Sequence, residues 1–353
     1  MDRAEMVPRI SVLMSVFNGE RYLGEAVDSI LAQSFAGFEF IIVDDGSTDG
    51  TGRILESYDD KRIVLLRNDE NNGLTRSLNR ALDAATGEFI ARMDADDVAL
   101  PERLERQVAY LEAHSEVGIV GSACRKIDGE DKDVGVSEVP LSDLEIRWRT
   151  LTGNAFQHPS VMVRRRLLSE HDLRYDESFA TAQDYDLWAR VLEKTRGANL
   201  AQRLVTLRVH DRSVSRIREG RQAEDHIRAA LGTMEGVWTD CPITEASFPL
   251  LRRLVTGLGP LEGYADTHRI RLLGFYADLL DRFADKNRGA DGLATLCRRE
   301  RALIAYSALK PPWRPGLTRL MSKLFAADPL LPVHGAIRAF GGVLCRLSRR
   351  RRA

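Results

Sequence analysis

Phe89-Ile90-Ala91-Arg92-Met93-Asp94-Ala95-Asp96-Asp97 is an apolar run that ends with three acids among four residues. A short apolar run of this kind reads as a buried strand. Acids at the point where such a strand leaves the core make poor packing, and crowded carboxylates repel one another. At about 4 Å and an effective dielectric near 20, each like-charge pair costs roughly 4 kcal/mol. A divalent cation with oxygen ligands would remove that cost and leave positions for phosphate oxygens. Taken alone, the triplet is a weak signal and reads first as a solvated acidic turn that caps the helix beginning near Pro101. A second acidic turn changes the balance: Asp44-Asp45-Gly46-Ser47-Thr48-Asp49-Gly50-Thr51 directly follows the apolar run Phe38 to Val43. Two acid-tipped strands in one domain predict a shared crevice at the carboxyl ends of a sheet, where open α/β sheets bind ligands.

Strand and helix signals alternate outward from these turns. Ile10 to Val16 reads as a strand broken by Phe17-Asn18-Gly19, and Tyr22, Leu23, Ala26, Val27, Ile30 and Leu31 share one helical face. A short helix is expected over Thr51 to Ser57 and a strand over Ile63 to Leu66. Leu74 to Ala85 reads as a helix, Phe89 to Met93 as a strand, and Val117 to Gly121 as another. Pro101 suits the first turn of a helix reaching His114. Such spacing implies right-handed βαβ units and a mostly parallel sheet flanked by helices, an α/β class. From Asp143 to Arg216 the pattern is mixed. Beyond it helical stretches take over, such as Ile270 to Phe283, so two regions are expected, 1–216 and 217–353. Lys310-Pro311-Pro312-Trp313-Arg314-Pro315 reads as a stiff connector.

The chain has 353 residues, 44% apolar and 29% charged, with a net charge of −1. That composition is globular, and no global field draws the protein onto nucleic acid. Cys124, Cys241, Cys297 and Cys345 lack metal-site spacing, which favours reduced thiols. The first residues do not read as a signal peptide, and no apolar run has membrane-spanning length, so a cytoplasmic location is expected. No G-x-x-x-x-G-K-[ST] loop occurs and no G-x-G-x-x-G follows the first strand, so nucleotide recognition would rely on the acidic turns and a cation. Gly257-Leu258-Gly259, followed by Pro260, reads as a turn.

Residues 10 to 51, from Ile10 through Asn18-Gly19 and Gln33 to Asp44-Asp45-Gly46-Ser47, resemble the opening of glycosyltransferase family 2. Asn71-Asn72-Gly73-Leu74, Asn79, Gly87-Glu88-Phe89-Ile90 and Asp94-Ala95-Asp96-Asp97 continue the pattern. Gln183-Asp184-Tyr185-Asp186-Leu187-Trp188 resembles the later acidic motif, with Gln where the family usually has Glu. The similarity spans about residues 10 to 215.

The resemblance implies a GT-A fold, a nucleoside-diphosphate sugar donor (UDP expected) and inversion at the anomeric carbon. Carried over, Asp44 and Asp45 would face the base and ribose near the backbone of Ser15 to Phe17. Asp94 would hold the ribose or the metal shell, and Asp96 would ligate Mn²⁺ or Mg²⁺ bridging the diphosphate, with Asp97 assisting. Asp184 is the candidate general base, Asp186 the fallback, and a plain helix cap the competing reading of Asp184.

His158, in Gln157-His158-Pro159-Ser160, reads on its own as a turn residue; the resemblance implies acceptor-side or phosphate contact. His210 would reach the metal or diphosphate, against a surface-loop reading. Arg76 and Arg92 are candidates for phosphate pairing, with surface salt bridges the default. Ile337 to Arg352 reads either as a solvated helix with an Arg tail or as an interfacial helix giving peripheral membrane contact. The expected acceptor is a glycan or lipid-linked glycan hydroxyl in bacterial surface polysaccharide synthesis. Two rivals stand beside that reading: a non-catalytic sugar-nucleotide binder, suggested by Gln183, and a metal-dependent nucleotidyltransferase.

Overall fold

The computed structural model describes residues 8–210, 219–256 and 266–309. The expected connector at Lys310 to Pro315, the basic helix Ile337 to Arg352, the turn at Gly257 and Cys345 lie outside the described residues. The chain divides into two compact units, Met1–Ala229 and Ala230–Ala353.

The first unit is built on one sheet. Its strands are β1 (Ile10–Val16), β2 (Phe38–Asp44), β3 (Ile63–Arg67), β4 (Phe89–Arg92), β5 (Val98–Ala99), β6 (Val117–Asp128), β7 (Asp133–Ser137), β8 (Met162–Arg164) and β9 (Arg196–Val209). Their order is β3-β2-β1-β4-β8-β6-β9-β5, with β7 paired to β6. The first four run parallel, as the βαβ reading requires. β8 enters antiparallel between β4 and β6, and β5 pairs antiparallel with β9.

Alternation of side chains along β1 supplies two cores. Ile10, Val12, Met14 and Val16 pack with Leu23, Ala26, Val27 and Ile30 of α1 (Leu23–Leu31) and with Leu104, Val108 and Leu111 of α4 (Arg103–Ala113). Leu13, with Ile41 and Val43, packs on the other face against Leu78 and Ala81 of α3 (Leu74–Ala84) and Leu187, Trp188 and Val191 of α7 (Gln183–Lys194). Burial on both faces explains why these strands are continuously apolar in sequence.

Two expectations shift. The helix foreseen from Pro101 begins at Arg103, whose N–H bonds to the Leu100 carbonyl in a tighter first turn. The strand foreseen over Val117 to Gly121 continues to Asp128, because β9 pairs along its whole length.

The second unit contains the helices Phe248–Thr256, Asp266–Lys286 and Leu293–Leu309. Leu272, Tyr276, Leu279, Leu280 and Phe283 are buried, and Tyr276 Oη donates to Glu300 at 3.0 Å. Among the described residues no helix is long and apolar enough to cross a membrane.

Candidate active site

The carboxyl ends of β1, β2 and β4 lie side by side, which brings both acidic turns to one edge of the sheet. The turn after β2 is tied down from all sides. Asp45 accepts hydrogen bonds from Asn68 Nδ2 at 2.6 Å and from the N–H groups of Asn72 and Gly73, each at 2.9 Å. Gly46, at φ +72°, permits this, because a Cβ there would stand 2.5 Å from the Glu70 backbone. Asp44 Oδ1 caps the turn by accepting from Ser47 N at 3.0 Å. Asn18 and Ser47 lace the loop after β1 to the same turn, leaving Ser15 buried in β1 and Phe17 exposed at 47%.

The turn after β4 has the opposite character. Asp97 is buried and, among the described residues, accepts from the Arg208 backbone N–H alone, at 2.8 Å; desolvation, reinforced by Asp96 and Asp94, pushes its carboxyl well above the usual range. Burial raises Asp94 as well, against the opposing pull of Arg92. Asp96, 33% exposed, places Oδ2 3.0 Å from His210 Nε2, at the end of β9. The His210 ring leans on Tyr22, with centroids 5.1 Å apart. Arg208 holds this end of β9 in place: it bonds to Asp131, Glu25 and the Asp96 carbonyl, and stacks 4.4 Å from the Tyr22 ring.

Carboxylate and imidazole donors 3.0 Å apart, both partly open to solvent, suit a divalent cation whose remaining ligands come from a diphosphate. Among the described residues no three His, Cys, Asp or Glu side chains converge to hold a metal unaided. The donor set therefore fits a cation shared with a phosphorylated ligand and not a closed structural site.

Arg92 connects this turn to the candidate base. Its guanidinium, 2% exposed, donates to Asp94 Oδ1 at 2.5 Å, His158 Nε2 at 2.8 Å and the Leu13 carbonyl at 3.0 Å, and also bonds to the Met93 carbonyl. The default of a surface salt bridge holds for Arg76, which meets Glu177 at 2.9 Å, and fails for Arg92. A second buried arginine, Arg103, donates to the Arg92 carbonyl at 2.6 Å; desolvation lowers it to about 10, which leaves it cationic near neutrality.

His158 opens a 3-10 turn, His158–Ser160, that leads into β8. Its side chain is 11% exposed, and desolvation followed by the Arg92 charge holds it well below its usual basicity. Asp184 stands at the second position of α7, so it is not the cap; Ala182 fills that place at φ +54°. Asn154 Nδ2 donates to Asp184 Oδ2 at 2.7 Å. Desolvation, with a smaller push from Asp94, raises the Asp184 carboxyl from 3.8 to about 6. Asp186 is engaged by Arg190 at 2.6 Å. Gln183 is buried at the head of the helix. Asp225 fixes the approach to Ala182 by accepting from Thr181 N and Oγ1 at 2.9 and 2.8 Å.

The fold thus links Asp94, Arg92, His158 and Asp184 in one chain of contacts and pairs Asp96 with His210. Asp44 and Asp45 stand at the neighbouring strand end, where fold-internal hydrogen bonds engage them. Sequence reading named Arg92 for phosphate pairing or a surface salt bridge and not for this buried role, and it missed Asn154, Arg208 and Asp225. Only Arg92 carried a signal, as a lone charge inside an apolar strand two residues before an acid. A separate cleft beside Arg9, Glu88, Arg165 and Arg166, at the amino ends of β1 and β4, lacks these groups; its arginines bond to Glu88, the Gly87 carbonyl and Glu170.

Residues 11–172 match the family described as Glycosyl transferase family 2. The chain is 38% identical over 215 residues, 57% of its length and 73% of the relative's, to the "Putative glycosyltransferase EpsE" of Bacillus subtilis (strain 168). It is 32% identical over 213 residues to the O-antigen biosynthesis glycosyltransferase WbnJ of Escherichia coli, covering 59% and 82% of the two chains. Among solved structures, S. aureus TarS 1–349 in complex with UDP-GlcNAc superposes with a TM-score of 0.55 at 20% identity, covering 85% and 87%. The mannosyltransferase PcManGT of Pyrobaculum calidifontis, in complex with GDP-Man and Mn²⁺, gives a TM-score of 0.50 at 20% identity, covering 94% and 86%. The chain belongs to glycosyltransferase family 2: it is a glycosyltransferase built on the GT-A fold.

Proposed function

We propose that the protein moves a sugar, with inversion and with help from a divalent cation, from a nucleoside-diphosphate sugar to a hydroxyl of a glycan or lipid-linked glycan. Asp96 and His210 would hold Mn²⁺ or Mg²⁺ together with the donor's diphosphate, and Asp94 would support that shell from its place on Arg92. The cation supplies Lewis-acid stabilisation of the departing diphosphate. Ser15, Phe17, Asp44 and Asp45 belong to the loops expected to meet the nucleoside. The presence of UDP-GlcNAc in TarS and of GDP-Man with Mn²⁺ in PcManGT supports a nucleotide-sugar donor. The name of WbnJ supports a setting in surface polysaccharide synthesis.

The observation that carries this reading is Asp184, desolvated and raised to about 6, held by Asn154, and joined through His158 and Arg92 to the donor-side acid Asp94. Inverting transfer is one displacement. The acceptor oxygen bonds to the anomeric carbon as its proton passes to Asp184, and the bond from that carbon to the diphosphate oxygen breaks. A base with a pKa near working pH accepts such a proton efficiently.

Asp184→Asn should retain Mn²⁺-dependent binding of the donor, measured by calorimetry, while transfer falls by roughly 10²–10⁴-fold. Transfer at the wild-type rate would remove Asp184 from the role of base.

A further inference from the structure

His158 has one ring nitrogen spoken for and one that is not. Arg92 Nε–H donates to His158 Nε2 at 2.8 Å, and a guanidinium has no other role to play in that bond than donor. Nε2 is therefore the acceptor, and the ring's single proton sits on Nδ1. Nδ1 is buried and has no hydrogen-bond partner among the described residues, and it stands 4.0 Å from Asp184 Oδ2. The ring itself is confined, with Tyr175 edge-on at 5.9 Å and Trp188 tilted at 6.0 Å between centroids. The 3-10 turn and Pro159 fix its backbone.

We propose that His158 is a positioning residue for Asp184: locked by Arg92 as the Nδ1–H tautomer, it aims a buried donor at the carboxylate and sets how readily that carboxylate takes a proton. The inference rests on the reading of Asp184 as base. Closing the gap by roughly 1 Å makes a charge-assisted hydrogen bond to the ionised carboxylate, an interaction twice as strong as a neutral one. That bond favours the charged form, opposing the burial that disfavours it. The charged and titratable groups facing Asp184 are Arg92 and Asp94 from the end of β4, His158 from the 3-10 turn and Tyr175 from the loop before α7. Arg92 gives four of its five donors to Asp94, His158 and two carbonyls, and the contact that leads from it toward Asp184 runs through His158. The same guanidinium thereby orients an acid on the donor side and the base on the acceptor side.

Two substitutions separate positioning from packing. In His158→Asn the amide nitrogen occupies the place of Nδ1 and keeps the donor. In His158→Gln the amide oxygen occupies the place of Nε2, keeps the Arg92 contact and loses the donor toward Asp184. The readout is the Asp184 carboxyl titration followed by carbon NMR in each protein, which requires neither donor nor acceptor. His158→Gln should move the midpoint upward by about one unit, a tenfold change in acidity, and His158→Asn should leave it near the wild-type value. Equal midpoints in the two variants would overturn the proposal. Should neither variant fold, nitrogen NMR of the wild-type histidines decides the matter. A neutral His158 protonated on Nδ1 at neutral pH supports the proposal, and an Nε2–H tautomer or an imidazolium overturns it. Because these measurements do not involve transfer, they succeed or fail apart from the assignment of Asp184 as base, which the Asp184→Asn experiment tests.

Discussion

The two acidic turns look alike in sequence and behave as opposites in the fold. After β2, Asp45 accepts three hydrogen bonds, Asp44 caps its own turn, and Asp49 is drawn below the usual range by bonds from Thr51 despite the upward pull of desolvation. After β4, Asp94 and Asp97 are pushed upward by burial, and Asp96 faces an imidazole across 3.0 Å. The first turn spends its carboxylates on backbone N–H groups and so fixes the geometry of the crevice. The second engages Asp94 with Arg92 and Asp97 with one backbone N–H, and leaves Asp96, a third exposed beside His210, open to positive charge. A carboxylate satisfied by the fold is architecture, whereas one that the fold leaves in want of a partner is available for chemistry.

The comparison is easiest to break at Asp45. Asp45→Ala should destabilise the first unit by about 2–4 kcal/mol, since three donors around a buried site lose their acceptor. Urea unfolding measures this, and a loss below about 0.5 kcal/mol would deny the turn its structural role. The acid limb of activity sharpens the comparison at smaller scale. Asp184 must be ionised to act as base and its carboxyl is raised to about 6. Transfer should therefore be full well above that value and fall about tenfold per unit of pH below it, as a pH–rate profile will read. A limb near 4 would place the controlling acid among ordinary exposed carboxyls. The smallest effect concerns backbone strain. The β2 turn meets its left-handed position with Gly46, whereas the turn before Asp184 uses Ala182 at φ +54°. Ala182→Gly should stabilise the protein by up to about 1 kcal/mol in the same unfolding assay.

The elements legible in sequence were those whose signal is local. β1, β2 and β4 are buried on both faces and read as largely apolar runs, and α1 and α3 show a clean helical face. β5 and β8 have 2 and 3 residues and owe their existence to pairing with strands remote in the chain, so no periodicity could announce them. β9 mixes Gly197, Asn199 and Gln202 into a strand with register shifts against β6, which blurs its alternation. The acids of the site were visible because their residue type is conspicuous where a strand ends. Their partners were not. Arg92 read as a surface charge because burial of a guanidinium depends on the Leu13 carbonyl, Asp94 and His158 arriving together, and only the folded sheet brings them there. Asn154 and Asp225 are ordinary loop and helix residues until tertiary structure places them beside Asp184 and Thr181.

The claim that the Asp94 to Asp97 turn is the cation-and-donor side of the crevice is tested most directly by titrating UDP and GDP into wild type and Asp96→Asn, with and without Mn²⁺. The account predicts that Mn²⁺ tightens nucleotide binding to the wild type. In Asp96→Asn that gain should shrink by at least about tenfold, the scale on which changes at a metal's coordination sphere act. An Asp96→Asn protein whose binding Mn²⁺ strengthens as much as it does the wild type's would contradict it.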